Sequence, residues 1–298
     1  MEAGRAKALK RLGVLKMEGP RVLALVPTKD GERYIAAAIS SLCEQTIRPR
    51  ILTIDDSSRD GTPKILSSFG DRIEVLRLRH DLPRDFRRIP SVVNEGLRRR
   101  RGEPYLMISH DDCIYPRDYI EALLSEFSRD PGLVVASGRI GGTAGRDKAP
   151  VGAGRLIRAR FLDELGGLFP ENDAWETWLL FKALQAGRRI ACFDRIEFDH
   201  NRPYGRGSLW ASGRGFYELG YPFAFVLARS LKTLLTGDYP LTHRWHVLYT
   251  PLGYLEMWLK GRPRIDDPDL IEFVRRIHYA RLRRFPSTLL RRALSALG

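Results

Sequence analysis

Short apolar runs alternate with helix-patterned segments through the first half of the chain, and this alternation limits the fold more than any other feature. RVLALV (21–26), RILTI (50–54), IEVLRL (73–78), YLMIS (105–109) and LVVASG (133–138) each read as a strand, RVLALV as a buried one ended by Pro27. Between them, YIAAAISSLCEQ (helical from about Arg33 to Glu44), PSVVNEGLRRR (90–100) and PRDYIEALLSEF (116–127) carry apolar residues at helical spacing. Pro90 sits in the first turn of its helix, where a missing N–H costs little. Strands alternating with helices predict an α/β chain, with a Rossmann-like, mostly parallel sheet flanked by helices.

In such a sheet ligands bind beyond the carboxyl ends of the strands. VPTKD, DDSS and HDD all fall at those ends. The last belongs to ISHDDCIYP (108–116), where Asp111 and Asp112 stand side by side between an apolar run and a proline. Adjacent like charges repel, and burying them unpaired is costly. Either the pair lies on a solvated turn that caps the next helix, or a cation neutralises it.

The formal net charge of +14 is unevenly spread. Residues 1–22 hold 6 Lys/Arg against 2 Asp/Glu, residues 23–200 hold 28 against 27, and residues 201–298 hold 16 against 7. A nucleic-acid enzyme would more often place basic charge around its own cleft, and basic ends on a nearly neutral middle suit an anionic surface, membrane or nucleic acid; of the two the membrane is the expected partner, and no nucleic acid is expected. Cys43, Cys113 and Cys192 lie far apart without a CxxC spacing, which argues against a structural zinc site or a disulfide framework and fits a reducing cytosol. MEAGRAKALKRLGVLKMEG lacks the apolar core of a secretory signal, and no run of 18 apolar residues predicts a spanning helix.

LALVPTKDGERYIAAAISSLCEQT, ILTIDDSSRDGT, PSVVNEGLRRRRGEPYLMISHDD and RFLDELGGLFPENDAWETWLLFKALQAGRRI follow one another in an order that resembles the family 2 glycosyltransferases, over about residues 21–200. The resemblance implies the GT-A, nucleotide-diphospho-sugar transferase fold. It also implies an inverting transfer of a sugar from a nucleotide-diphosphate donor (UDP-, GDP- or dTDP-linked) to a hydroxyl or phosphate of an acceptor. Two positions depart from the family pattern: Ser109 stands where many members have the first Asp of Asp-x-Asp, and Glu176 stands where Asp is usual in the acceptor-side segment.

On this resemblance a divalent ion, Mn²⁺ or Mg²⁺, stabilises the departing diphosphate. Asp112 ligates it, Asp111 lies nearer the ribose or ligates as well, and His200 in FDHNRPYGRGS adds an imidazole nitrogen. Asp55 and Asp56 accept from uracil or ribose, while their alternative is an N-cap in a loop where Asp60 makes the turn. Thr28 and Asp30 line the base pocket, Arg88 approaches the diphosphate, and Arg202 and Arg206 lie on a glycine-flanked loop within reach of it. Glu176 is the candidate general base, with Asp173 as its alternative. Trp175 and Trp178 are expected to wall Glu176 and stack on a sugar.

Residues 1–20 read as a basic N-terminal segment, 21–208 as the GT-A catalytic domain and 209–298 as a helical extension rich in aromatics and arginine. Stretches such as WASGRGFYELGYPFAFVLARSLKTLL and HRWHVLYTPLGYLEMWLKGRPR suit helices lying in a membrane interface, or else a subdomain packed on the core. The first reading places the protein in the cytoplasm, peripherally on an anionic membrane surface, with a lipid-linked or glycan acceptor. A nucleotidyltransferase of the same fold would open on a Gly-rich basic loop, which VPTKDGERY is not. A sugar-nucleotide-binding pseudoenzyme and a basic membrane- or nucleic-acid-binding module are the other readings.

Overall fold

The computed structural model describes residues 21–80, 82–83, 85–142, 149–202, 205–236, 241 and 243–283. The basic segment 1–20 therefore lies outside the described residues. The chain divides into two compact units, one within Met1–Pro83, Ser91–Leu168 and Arg188–Asn201, the other within Arg84–Pro90, Phe169–Gly187 and Arg202–Gly298.

The first unit is built on an eight-stranded sheet of order β3-β2-β1-β4-β7-β6-β8-β5. Its strands are β1 (Val22–Thr28), β2 (Arg50–Asp55), β3 (Glu74–Arg77), β4 (Tyr105–Ile108), β5 (Cys113–Ile114), β6 (Leu133–Ile140), β7 (Arg155–Arg158) and β8 (Arg189–His200). β1 pairs in parallel with β2 and β4, and β2 with β3, as the apolar runs predict. β6 and β8 are also parallel, whereas β7 runs antiparallel between β4 and β6. β1 extends through Pro27 to Thr28, further than the proline suggests: Thr28 is in register with Asp55, and its carbonyl accepts from Asp56 N at 2.9 Å.

Helices α1 (Ile35–Cys43), α2 (Thr62–Ser67), α3 (Ile89–Leu97) and α4 (Tyr119–Arg129) fill the connections, and α5 (Ala159–Glu164) follows β7. α1 and α4 bury apolar faces (Ile35, Ile39 and Leu42; Ile120, Leu123 and Phe127) in one core with β1, β4 and β6. Such burial contributes about 1.5–3 kcal/mol for each large side chain. Tyr119 stitches this core to the sheet, its hydroxyl accepting from Gly138 N at 2.9 Å and donating to Gly154 O at 2.8 Å.

The two ends of the parallel strands differ in charge. At the amino end, buried Arg50 is neutralised by Glu103 at 2.6 Å and Glu74 at 3.1 Å. At the carboxyl end, acidic side chains collect. The strand order turns back between β1 and β4, so this crevice lies at the topological switch point of the sheet.

The second unit is helical: α6 (Trp175–Gln185), α7 (Arg206–Glu218), α8 (Phe223–Thr236), α9 (Tyr249–Leu259) and α10 (Pro268–Arg283). Phe181, Tyr217, Tyr221, Tyr254 and Leu270 lie in its core. α7 and α9 approach each other across two glycines. A Cβ on Gly213 would lie 1.9 Å from Thr250 O, and one on Gly253 would lie 2.2 Å from Trp210 O. No described helix is long and apolar enough to cross a membrane.

Candidate active site

The switch-point crevice is made by the loops that leave β1, β2 and β4. Asp111 and Asp112 are both buried, at 5% and 4% exposure, which removes the solvated-turn reading of the pair. Thr28 Oγ1 donates to Asp111 Oδ2 at 2.9 Å, joining the end of β1 to the loop after β4. Gly31 leaves room for this bond, since a Cβ there would stand 2.6 Å from Thr28 Oγ1 and 2.7 Å from Asp111 Oδ2.

Asp112 faces histidine. The two-residue strand β5 pairs Cys113 with His200 at the end of β8, and Asn201 N donates to Asp112 O at 3.0 Å. This pairing brings His200 Nε2 within 3.6 Å of Asp112 Oδ1. His110, Asp112, Cys113 and His200 offer ligand atoms that all lie within 4.8 Å of one another, the only such metal-competent group of at least three His, Cys, Asp or Glu among the described residues. Burial, and next the Asp112 carboxylate, push the Cys113 thiol well above its ordinary range, and its Sγ lies 3.7 Å from Asp112 Oδ1 as a donor.

The loop after β2 supplies a second acidic pair. Asp55 is 1% exposed; its Oδ1 accepts from Ser58 N at 2.8 Å, and its Oδ2 lies 3.4 Å from Arg77 Nε without hydrogen-bond alignment. Asp56 holds His80 Nε2 at 2.6 Å, and Lys29 Nζ lies 3.9 Å from its carboxylate. Asp30 is exposed, in the left-handed region at φ +50°, a conformation that Asp tolerates better than most residues. Its N–H donates to Ser58 Oγ and its Oδ1 accepts from Arg59 N, which fastens the β1 and β2 loops together. Asp60 makes the expected turn. Burial alone would raise its carboxyl, but hydrogen bonds from Thr62 and Glu32 hold it below the ordinary value.

Seven residues expected from sequence thus meet in the first unit: Thr28, Asp30, Asp55, Asp56, Asp111, Asp112 and His200. The other five, Arg88, Asp173, Glu176, Arg202 and Arg206, belong to the second unit. Arg88 ends a 3₁₀ turn over Phe86–Arg88 that Asp85 caps. Arg202 is half-buried, and Arg206 opens α7 with its Nε 3.4 Å from His246 Nε2. Glu176 lies half-buried in the first turn of α6, where the helix dipole favours a carboxylate. Trp175 does not stack as expected: it is buried with its ring edge-on to Phe169 at 4.9 Å, and Trp178 packs on the core of the unit.

Asp173 lies in a buried charge cluster that sequence reading missed. Its Oδ2 accepts from Arg87 Nε at 2.9 Å, and Arg214 Nε lies at the same distance without hydrogen-bond alignment. Glu218, on α7, accepts from Ala174 N at 3.1 Å. Burial, and then the Asp173 carboxylate, push Glu218 up to about 7. Burial also raises Asp173, against the pull of Arg214 and Arg87. His80, His110 and Cys113 were missed too. Only His110 had a local signal, its place inside HDD.

Known proteins agree with this architecture. Residues 24–209 match the family described as glycosyl transferase family 2. An uncharacterized glycosyltransferase of Rickettsia typhi is 32% identical over 98 residues, which are 33% of this chain and 29% of that protein. One of Rickettsia felis is 30% identical over 100 residues, 33% of this chain and 16% of that protein. The chain thus spans less than a third of the length of these relatives.

Among solved structures, mannosyltransferase PcManGT of Pyrobaculum calidifontis, in complex with GDP-Man and Mn²⁺, has a TM-score of 0.54 at 16% identity, covering 99% of this chain and 88% of that one. S. aureus TarS 1-349 in complex with UDP-GlcNAc has a TM-score of 0.54 at 17% identity, covering 79% and 73%. Glucosyl-3-phosphoglycerate synthase of Mycobacterium tuberculosis, in complex with Mg²⁺ and UDP, scores 0.52 at 14% identity, covering 70% and 80%. These likenesses establish the GT-A fold. The family match extends over well more than half of the chain and includes every carboxylate of the switch-point crevice, and the chain therefore belongs to glycosyl transferase family 2.

Proposed function

We propose that the chain is an inverting glycosyltransferase that moves a sugar from a nucleotide-diphosphate donor to a hydroxyl or phosphate of a lipid-linked or glycan acceptor, assisted by a divalent metal. One observation carries the reading: two adjacent carboxylates, Asp111 and Asp112, are buried at the switch point beside imidazole. Four carboxylates gathered in one crevice strongly favour a cation or a hydrogen-bonding ligand there. That the related folds were solved with GDP-Man, UDP-GlcNAc or UDP, two of them with Mn²⁺ or Mg²⁺, supports a nucleotide-sugar donor here.

The donor set fits such an ion: Asp112 would supply carboxylate oxygen and His200 and His110 imidazole nitrogen, with these atoms all within 4.8 Å of one another. When bound, the ion would neutralise charge that builds on the leaving diphosphate. Asp111, fixed by Thr28, orients the ribose side, and Asp55 and Asp56 accept from the base or ribose. Arg88, Arg202 and Arg206 bind phosphate oxygens.

Glu176 takes the acceptor's proton as the new glycosidic bond forms and the diphosphate leaves from the opposite face. The engagement of Asp173 with two arginines supports Glu176 over it, because both guanidinium groups crowd the one carboxylate oxygen, Oδ2, that an acceptor hydroxyl would have to reach. The protein works at the cytoplasmic face of a membrane.

The test is a donor panel. Thermal shift and donor hydrolysis are measured with UDP-, GDP- and dTDP-sugars, with Mn²⁺, with Mg²⁺ and with EDTA. At least one donor should stabilise the protein in a metal-dependent way. Stabilisation by none, across all three nucleotides and both metals, overturns the reading.

A further inference from the structure

The second unit exposes large apolar side chains in a pattern that folding does not require. Among the described residues thirteen large hydrophobic side chains are exposed, and eight of them fall within residues 227–259. On α8, Leu227, Leu231 and Leu235 recur every fourth residue, which sets them on one side of the helix. Their exposure rises to 65% at Leu235, while Val226 and Ser230 on another side are buried.

The second stripe begins in the 3₁₀ turn Arg244–Leu248 and continues along α9. Trp245, Leu248, Leu252 and Leu259 follow spacings of three, four and seven, with Trp258 beside them. Trp245 is 69% and Leu259 75% exposed, whereas Pro251, Tyr254 and Met257 turn into the unit. Each helix is therefore apolar on two sides, one facing the core and one facing outward.

We propose that these outward stripes form a docking face for an anionic lipid bilayer, lying in its interface rather than crossing it. Charge selects this occupant. Residues 223–262 hold 5 Lys/Arg against 2 Asp/Glu, and residues 201–298 hold 16 against 7. Leucine with tryptophan on one side and cations at the margins is the composition of an interfacial helix. Basic residues beside it are drawn to acidic headgroups. Two of the exposed side chains are tryptophan, Trp245 and Trp258, whose amphipathic ring favours the boundary between acyl chains and headgroups. A second copy of the chain would bring like charge to like charge, and the stripes have the wrong electrostatics for it. This inference deepens the acceptor side of the proposed function, because a face that holds the bilayer presents the enzyme to lipid-linked acceptors.

The test is flotation of the full chain with vesicles of phosphatidylcholine containing about 30% phosphatidylglycerol, against vesicles of phosphatidylcholine alone. The protein should float with the anionic vesicles at low salt, and its tryptophan emission should be quenched by brominated acyl chains. The double variant Leu231→Glu, Leu235→Glu should lose about tenfold or more of this partition while its circular dichroism and melting temperature stay those of the parent, since both side chains are solvent-exposed. Recovery of the parent protein at the bottom of the gradient, or equal flotation of the variant, overturns the proposal. So does light scattering that shows a dimer abolished by the same variant, which would make a second copy the occupant. Donor-induced thermal shift on the same preparations separates the two readings. Donor binding without flotation refutes only the docking face, and flotation without donor binding refutes only the transferase.

Discussion

Replacing Glu218 with glutamine should make the protein more stable at pH 8 and leave it nearly unchanged at pH 5. Glu218 is 8% exposed and has its carboxyl pushed from 4.5 to about 7 by burial first and by Asp173 second, with Arg87 pulling the other way. Below about pH 4.5 the residue is neutral in both the folded and the unfolded chain, and its contribution to stability is intact. As pH rises toward 7 the unfolded carboxyl ionises while the folded one holds its proton, so stability falls. Above about 7 the loss is complete. At about 1.4 kcal/mol per pH unit, the span amounts to roughly 3 kcal/mol.

Glutamine keeps the carbonyl that accepts from Ala174 N and cannot ionise. Part of the gain is offset by lost attraction to Arg87, so the variant should exceed the parent by about 1–3 kcal/mol at pH 8 and differ by under about 1 kcal/mol at pH 5. Urea unfolding followed by tryptophan fluorescence, run on both proteins at both pH values, measures this directly. A difference that does not change with pH, or a variant less stable at pH 8, refutes the buried, proton-holding carboxyl. Ala174 precedes the helix that carries Glu176, so the same cluster fixes where the candidate base begins its helix.

Asp112→Asn should weaken metal-dependent donor binding by at least about 100-fold in calorimetry, because it removes the charge beside His200. Glu176→Gln should leave donor binding intact and lower transfer by about 10²–10⁴-fold; unchanged turnover would remove Glu176 as the base. Gly213→Ala should cost about 3 kcal/mol or more in chemical denaturation, since the added carbon would stand 1.9 Å from Thr250 O and α7 and α9 must separate to admit it. Tyr119→Phe removes the hydroxyl that joins Gly138 to Gly154 inside the core and should lower stability by about 1–3 kcal/mol.

The parallel half of the sheet was legible because β1, β2 and β4 are buried on both faces and so appear as mostly apolar runs, every residue of β2 being buried; β3, at the edge, is half-exposed. β8 gave no such signal. It is a half-exposed, charge-bearing strand, RIACFDRIEFDH, that buries only Ile196 and Phe198 fully and has an irregular register against β6 around Gly138 and Arg139. β5 is two residues long and is defined by its backbone pairing with β8, which no side-chain pattern encodes. That pairing joins residue 113 to residue 200, so the meeting of His200 with Asp112 followed from family resemblance and not from spacing. Asp56 with His80, and Arg87 with Asp173, are likewise contacts between segments that only the folded chain brings together.

Charge is what separates the two ends of the parallel strands. At the amino end, Arg50 is matched by the carboxylates of Glu74 and Glu103. At the carboxyl end, Asp55, Asp56, Asp111 and Asp112 are each no more than 6% exposed. Arg77, Lys29 and His80 face the first pair, and Arg77 is half in solvent, which screens much of its effect. Asp111 accepts from the Thr28 hydroxyl, and Asp112 lies beside the His200 imidazole and the Cys113 thiol. A divalent ion held by these carboxylates, as proposed, would offset the repulsion between them. Addition of divalent metal should therefore raise the melting temperature of the whole chain even without a nucleotide, and Asp112→Asn should abolish that rise.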